Sequence, residues 1–220
     1  MSEILTTKIK VKIFATIAVL LILALNSAGQ DAAKVRELEI TIGTFSTLSE
    51  TQKYTVNPAI SGSWGDYYFE SRYNYEAGNS ASLNLGKRVF RKLEHIELIP
   101  MVGLVFGSFK GATAELQTSL DYPKWLFSTD NQFSYAYTSP YESLFFNWTV
   151  AKYKLNNFFQ IGLTSFLDIQ GGQAIFDKGI TGAVSYHNWA FRVYAFNYEI
   201  ENRRYWFSLR YTMKMKVIRK

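Results

Sequence analysis

The sequence predicts an all-β protein, an antiparallel transmembrane β-barrel of about twelve strands (ten as the alternative count) behind an N-terminal signal peptide. Three observations carry this. From Tyr205 to Val217 every second residue is large and apolar (Tyr205, Phe207, Leu209, Tyr211, Met213, Met215, Val217), and between them sit Trp206, Ser208, Arg210, Thr212, Lys214 and Lys216. Successive strand side chains point to opposite faces, so this segment has an apolar face and a face with three cations. Second, aromatic residues make up 17% of the chain while its mean hydropathy is close to zero. That balance fits apolar residues confined to alternate, lipid-facing positions and to interfacial girdles. Third, Lys8, Lys10 and Lys12 precede an apolar run over 13–25, followed by the small residues of Asn26-Ser27-Ala28-Gly29-Gln30. This is the order of a secretory signal peptide.

The domain organisation that follows is a signal peptide over 1–30, cleaved near 28–30, and a barrel over 31–220. A single transmembrane anchor is the competing reading of the N-terminus, but the run falls short of the roughly 20 apolar residues a spanning helix needs. No later segment is apolar for long enough to span as a helix. The formal charge is +6; losing Lys8, Lys10, Lys12 and Glu3 with the signal peptide leaves +4, too mild to point to a nucleic-acid partner. The chain has no cysteine, which removes disulfide frameworks and Cys-based metal sites. No phosphate-binding glycine loop or metal-ligand cluster appears, so no cofactor is implied. The partners implied are outer-membrane lipid and the barrel-assembly machinery, with the oligomeric state open.

Alternating runs broken by Gly, Asn, Asp, Ser and Pro place strands at 36–46, 54–64, 67–76, 81–91, 96–107, 112–122, 125–137, 143–153, 158–168, 174–186, 189–198 and 204–216. The even number suits a bacterial single-chain barrel. Every second connection (65–66, 92–95, 123–124, 154–157, 187–188) has two or four residues, and the others reach seven. With the N-terminus in the periplasm, the shorter set falls on the periplasmic side, where turns are short.

Face assignment follows from charge, because Arg or Lys at the lipid midplane costs about 2–4 kcal/mol. In 67–76, Tyr67, Phe69, Ser71, Tyr73 and Tyr75 face lipid and Tyr68, Glu70, Arg72, Asn74 and Glu76 face the lumen. In 96–107, Ile99, Met101 and Val105 share the lumen face with Glu97 and Gly103. In 112–122, Ala114, Leu116, Leu120 and Tyr122 face out, and Thr113, Glu115, Gln117, Ser119 and Asp121 face in. Strand 143–153 is expected to turn Leu144, Phe146, Trp148 and Val150 outward and Asn147 and Thr149 inward. Strand 158–168 places Phe159, Ile161, Leu163 and Leu167 outward against Gln160, Gly162, Thr164 and Asp168.

A soluble lipocalin-like binder also follows a signal peptide and alternates, but it buries its apolar face inside. Strand number and length, above the usual 5–6 residues of soluble strands, favour the membrane. The stretch from Tyr73 to Phe109 contains Tyr75-Glu76-Ala77-Gly78-Asn79-Ser80-Ala81-Ser82-Leu83-Asn84-Leu85-Gly86 and then Pro100-Met101-Val102-Gly103-Leu104-Val105-Phe106-Gly107. It resembles small bacterial outer-membrane β-barrel proteins of unassigned function, a porin-like group. The resemblance covers most of 31–220 in pattern and these segments in wording. It implies the barrel and carries no motif of known chemistry. Many such barrels end on an aromatic residue, whereas this chain ends Val217-Ile218-Arg219-Lys220; either Tyr211 or the Met213-Met215-Val217 series would then serve as the assembly signal, or a basic tail follows the true strand end.

Catalysis has little support. A barrel lipid hydrolase needs a nucleophile beside an oriented His, and the two histidines, His95 and His187, fall in periplasmic turns. Ser185 beside His187 reads as a polar hairpin turn, and Asn147-Trp148-Thr149 as a chance sequon in a bacterial exported protein. The sequence therefore points away from an enzyme. The candidate lumen-lining residues are Glu70, Arg72, Glu115, Asp121, Asp168, Arg192 and Arg210. The wider inward set adds Glu39, Glu76, Glu97, Asp130, Arg88, Lys214 and Lys216; its mixed signs predict weak ion selectivity. The expected function is a small porin-like channel for small polar solutes in the outer membrane of a Gram-negative cell. The alternative is a non-conducting structural or partner-docking barrel.

Overall fold

The computed structural model describes residues 36–49, 54–89, 95–137, 142–198 and 203–217. The expected signal peptide and the last three residues lie outside them. The elements are β1 (Arg36–Ser49), β2 (Thr55–Trp64), β3 (Tyr67–Tyr73), β4 (Ser80–Lys87), β5 (Ile96–Gly107), β6 (Gly111–Asp121), β7 (Trp125–Ala136), β8 (Leu144–Lys154), β9 (Phe159–Gln170), β10 (Gln173–Tyr186), β11 (Trp189–Phe196) and β12 (Arg204–Val217). Each strand pairs antiparallel with its sequence neighbours, and β1 pairs with β12 from Arg36↔Val217 to Ser49↔Arg204. The result is a closed barrel in which every strand has two partners and no edge is left unpaired.

Large apolar side chains remain exposed on the outside: Ile42, Ile60, Leu83, Leu104, Leu163, Ile180 and Leu209 form a belt around the wall. Trp64, Tyr67, Tyr122, Trp125, Tyr186 and Trp189 ring the end that carries both chain termini, and Tyr54, Tyr73, Phe106, Tyr135 and Tyr137 ring the far end. An apolar band between two aromatic girdles is the outside of a transmembrane barrel. A lipocalin-like interior would bury Tyr67 and Tyr73, which are 46% and 42% exposed.

Loop lengths do not sort by side as the sequence suggested. β4 stops at Lys87, and Val89 touches Leu98 only through an isolated bridge, so the connection at the terminal end runs over 88–95. At the far end β9 and β10 are joined by 171–172 alone, where Gly171 and Gly172 adopt φ of 61° and 79°, conformations open to glycine without a Cβ clash.

Two face assignments are corrected. On β8, Leu144, Phe146, Trp148 and Val150 point into the barrel, where Trp148 meets Phe45, Tyr194 and Trp206 at ring separations of 5.0–5.6 Å; Asn147 and Thr149 lie on the outer face. The interior takes those rings because it is partly filled rather than aqueous throughout, and burying them there costs nothing that lipid exposure would save. Tyr75 also turns inward, 5.4 Å from the Phe146 ring. Asn74 adopts φ of 61° and accepts from the Asn79 amide at 2.7 Å, which ends the strand and breaks the alternation.

The lumen is therefore layered. Toward the far end, Phe45, Trp148, Phe166, Tyr194, Phe196 and Trp206 form one ring cluster, and Val105, Phe109, Leu144 and Phe146 form another. Ile99, Met101 and Val105 are buried inside the wall, so the apolar residues on the inward face of β5 are packing, with the register as read.

Candidate functional site

Arg72 sits near the far end of β3 and is 5% exposed. Its guanidinium donates to Glu115 Oε1 on β6 at 2.6 Å, to Gln132 Oε1 on β7 at 2.8 Å, and to Glu70 on its own strand; Asp130 Oδ2 lies 3.5 Å away. The fork geometry of arginine suits several acceptors at once. Tyr75 closes the assembly, with the Arg72 guanidinium carbon 4.4 Å from its ring centroid. Gln117 donates to Glu115 at 2.7 Å and Gln132 to Glu76 at 3.1 Å. The lumen carboxylates on this side thus sit in one hydrogen-bonded network across β3, β6 and β7.

Next to that network lies a cavity of about 390 Å³. Four cations border it, Arg72 itself, Lys152 on β8, Arg192 on β11 and Arg210 on β12, together with Glu70, Glu97, Asp130 and Tyr68. The barrel register explains the opening. Arg210 pairs with Gly43, Gly43 with Ala59, and Ala59 with Arg72, so two small residues separate the two arginines along the wall. A Cβ on Gly43 would lie 3.0 Å from Arg210 Cγ, so glycine lets the arginine stem lie flat on the strand. Lys152 has Gly162 as its neighbour on β9, which leaves similar room.

The acids on this face have partners: Glu70 and Asp130 with Arg72, Glu97 with Arg88, Asp177 with Arg204 at 3.0 Å, and Glu39 with Lys214 at 3.0 Å. Among the described residues, Lys152, Arg192 and Arg210 form no ion pair. These three cations thus form a positive patch on the cavity wall, apart from an acid-rich network in which Arg72 alone faces Glu70, Glu115 and Asp130, and low-dielectric walls strengthen the field of each.

Of the lumen residues expected from the sequence, Glu70, Arg72, Arg192 and Arg210 border the cavity. Glu115 faces inward but is fully buried beneath Arg72. Asp121 sits at the terminal-end rim in an ion pair with Lys154, and Asp168 lies at the far-end rim beside Glu142 and Gln170. Sequence reasoning missed Lys152 and Asp177. Lys152 carried its own signal: it shares the parity of Phe146, Trp148 and Val150, and a strand charge must face the lumen. His187 occupies the β10–β11 turn with φ of 50° and its ring stacks edge-on against Tyr186, while His95 Nδ1 lies 2.8 Å from the Asp121 carbonyl. Among the described residues no group of three metal-ligating side chains converges.

No family model and no curated relative matches the sequence. Solved structures do match in shape. A KdgM porin superposes with a TM-score of 0.60 at 12% identity, covering 78% of this chain and 98% of that one. The same porin in complex with disordered oligogalacturonate gives 0.58 at 11% identity, covering 78% and 98%. A NanC porin gives 0.54 at 9% identity, covering 79% and 98%. The closed twelve-stranded wall, its apolar belt and these likenesses together make the fold that of a porin-like outer-membrane β-barrel.

Proposed function

We propose that the barrel is an outer-membrane channel for small polar solutes with a preference for anions, reached by export through a cleaved signal peptide. The observation that carries this reading is the set of three unpaired cations, Lys152, Arg192 and Arg210, on one lumen cavity. Acids and bases are mixed along the inward face, as the sequence suggested, but the acids gather around Arg72 while these three cations form a separate patch on the cavity wall, where a passing anion would meet them. A carboxylated oligosaccharide, the class of compound bound in the KdgM complex, is one solute such a field would attract; the basic side chains support the preference without that likeness.

The test is the reversal potential of the refolded protein in a planar bilayer under a salt gradient. The wild-type channel should prefer anions, and the Lys152→Gln, Arg192→Gln, Arg210→Gln triple variant should shift toward cations. An unchanged reversal potential with conductance intact would take the three side chains off the conducting path. A silent bilayer from folded protein would transfer support to the non-conducting, partner-docking reading, which the ring clusters inside the lumen favour.

A further inference from the structure

The connection from β3 to β4, residues 74–79, folds into the lumen instead of standing above the rim. Glu76 is 9% exposed, and its Oε1 accepts from Gln132 Nε2 on β7 at 3.1 Å. The Tyr75 ring contacts both the Arg72 guanidinium and Phe146 on β8. Ala77 packs against the cluster of Val105, Phe109, Leu144 and Phe146. In the twelve-strand ring β7 and β8 stand four and five places from β3, so this short segment reaches across most of the bore. Phe166, 6.0 Å from Phe146 and 4.9 Å from Trp206, joins it to the other ring cluster. Connection and rings thus form one layer across the lumen near the far end.

The parts of that layer are held differently. Phe45, Trp148, Phe166, Tyr194, Phe196 and Trp206 all sit on strands paired on both sides, and their backbone moves only with the wall. Among the described residues, none of 74–79 takes part in a strand pairing. The segment is bounded by two left-handed residues, Asn74 and Asn79, with φ of 61° and 59°. Asn79 is anchored, because its carbonyl accepts from the Ser108 amide at 3.2 Å. A segment outside the ladders with a backbone turn at each end is the kind that opens locally. Glu76 is also poorly satisfied where it lies. Its Oε2 has no hydrogen-bond partner, and Arg72 is already shared among Glu70, Glu115 and Asp130. A buried carboxylate with one neutral donor recovers only part of its lost hydration, which offsets the packing that Tyr75 gains.

We propose that Tyr75, Glu76 and Ala77 are the gate of the far mouth, swinging outward between Asn74 and Asn79 to open the lumen above the cation-lined cavity. The inference rests on the channel reading. Outward, Glu76 meets water and the bore loses the side chains that cross it, the kind of constriction that gates a pore.

The chain has no cysteine, so an introduced pair reports alone. In Glu76→Cys, Gln132→Cys protein in a planar bilayer, a bifunctional methanethiosulfonate, its bridge verified by mass, should abolish openings by tethering the connection to β7. A reductant should restore them, and the monofunctional reagent should leave them in place. Tyr75→Ala with Glu76→Ala should raise the open fraction severalfold over wild type, or open a wild type that is closed at rest. Openings that persist under the bridge, closure by the monofunctional reagent as well, two modified thiols that never bridge, or a wild-type open fraction in the alanine variant would overturn the gate and leave the channel standing. Silence from wild type and every variant, all with folded heat-modifiable mobility, would overturn the channel reading and the gate with it.

Discussion

Arg72 on β3 donates through Nη2 to Glu115 Oε1 on β6 at 2.6 Å, spanning the lumen face of the two intervening strands. Glu115 is fully buried and its second oxygen has no hydrogen-bond partner. The pair braces the wall where the barrel is narrowed by side chains, and Gln132 ties β7 to the same guanidinium at 2.8 Å.

Arg72→Met should therefore destabilise the refolded barrel strongly. Removing one member of a buried ion pair leaves the other charge uncompensated and typically costs about 3–5 kcal/mol. The measurement is the denaturant midpoint followed by heat-modifiable mobility, and Glu115→Gln in the same chain should recover part of the loss. A midpoint equal to wild type would show that the network adds no net stability. For the same reason Arg72 is a poor site for testing selectivity, since its loss disturbs the wall as well as the field.

The inverted face of β8 gives opposite outcomes for adjacent residues. Trp148→Ala removes a ring packed against Phe45, Tyr194 and Trp206 and should cost about 3–5 kcal/mol. Asn147→Leu places an apolar side chain toward lipid and should leave the folded barrel as stable as wild type or more so. Folding yields into lipid vesicles at graded urea concentrations distinguish the two. If Asn147→Leu is the damaging change, β8 faces as its hydropathy alone suggests.

Twelve strands and most of their faces were legible because charges mark the lumen parity: Glu70 with Arg72 on β3, Glu115 on β6, and Arg210 with Lys214 on β12. Where large apolar residues occupy both environments, period-two patterning identifies a strand without saying which side is lipid. On β8 the aromatic rings suggested lipid, and Lys152, on the same parity, was the stronger sign. Tyr75 was misplaced for a local reason, since a left-handed Asn74 resets the alternation after β3. The unpaired state of Lys152, Arg192 and Arg210 was out of reach, because it depends on which acids the closed register brings to Arg72, Arg88 and Arg204.

Gly103 on β5 is fixed by its neighbours. Thr113 on β6 donates to Asn84 Oδ1 on β4 at 2.5 Å, and Gly103 pairs with both residues, so the hydrogen bond passes over the glycine. A Cβ there would overlap the Asn84 amide oxygen, the Leu83 carbonyl and the Thr113 hydroxyl. Gly103→Ala should separate Thr113 from Asn84 and cost roughly 1–3 kcal/mol, as overpacking of a filled interior does. Chemical denaturation of the refolded variant reads this directly, and an unchanged midpoint would mean that the wall relaxes around the methyl group.

The ring cluster around Trp206 lies between the cavity and the far end. Trp206 is near the far end of β12, with its ring 5.0 Å from Phe45, 4.9 Å from Phe166 and 4.6 Å from Phe196; the cations Lys152, Arg192 and Arg210 lie nearer the end with the termini. On the proposed channel reading, a solute crossing the barrel would meet both layers in series, the aromatic layer setting the width and the cations the sign. Trp206→Ala should raise single-channel conductance while leaving the reversal potential at its wild-type value, because the charged layer is untouched. The substitution also removes packing worth about 3–5 kcal/mol, so the recording is made on protein whose folded mobility has been verified. Equal conductance in wild type and variant would place the conducting path away from Trp206. A silent wild type that opens on truncation would make this layer the closed gate of the channel.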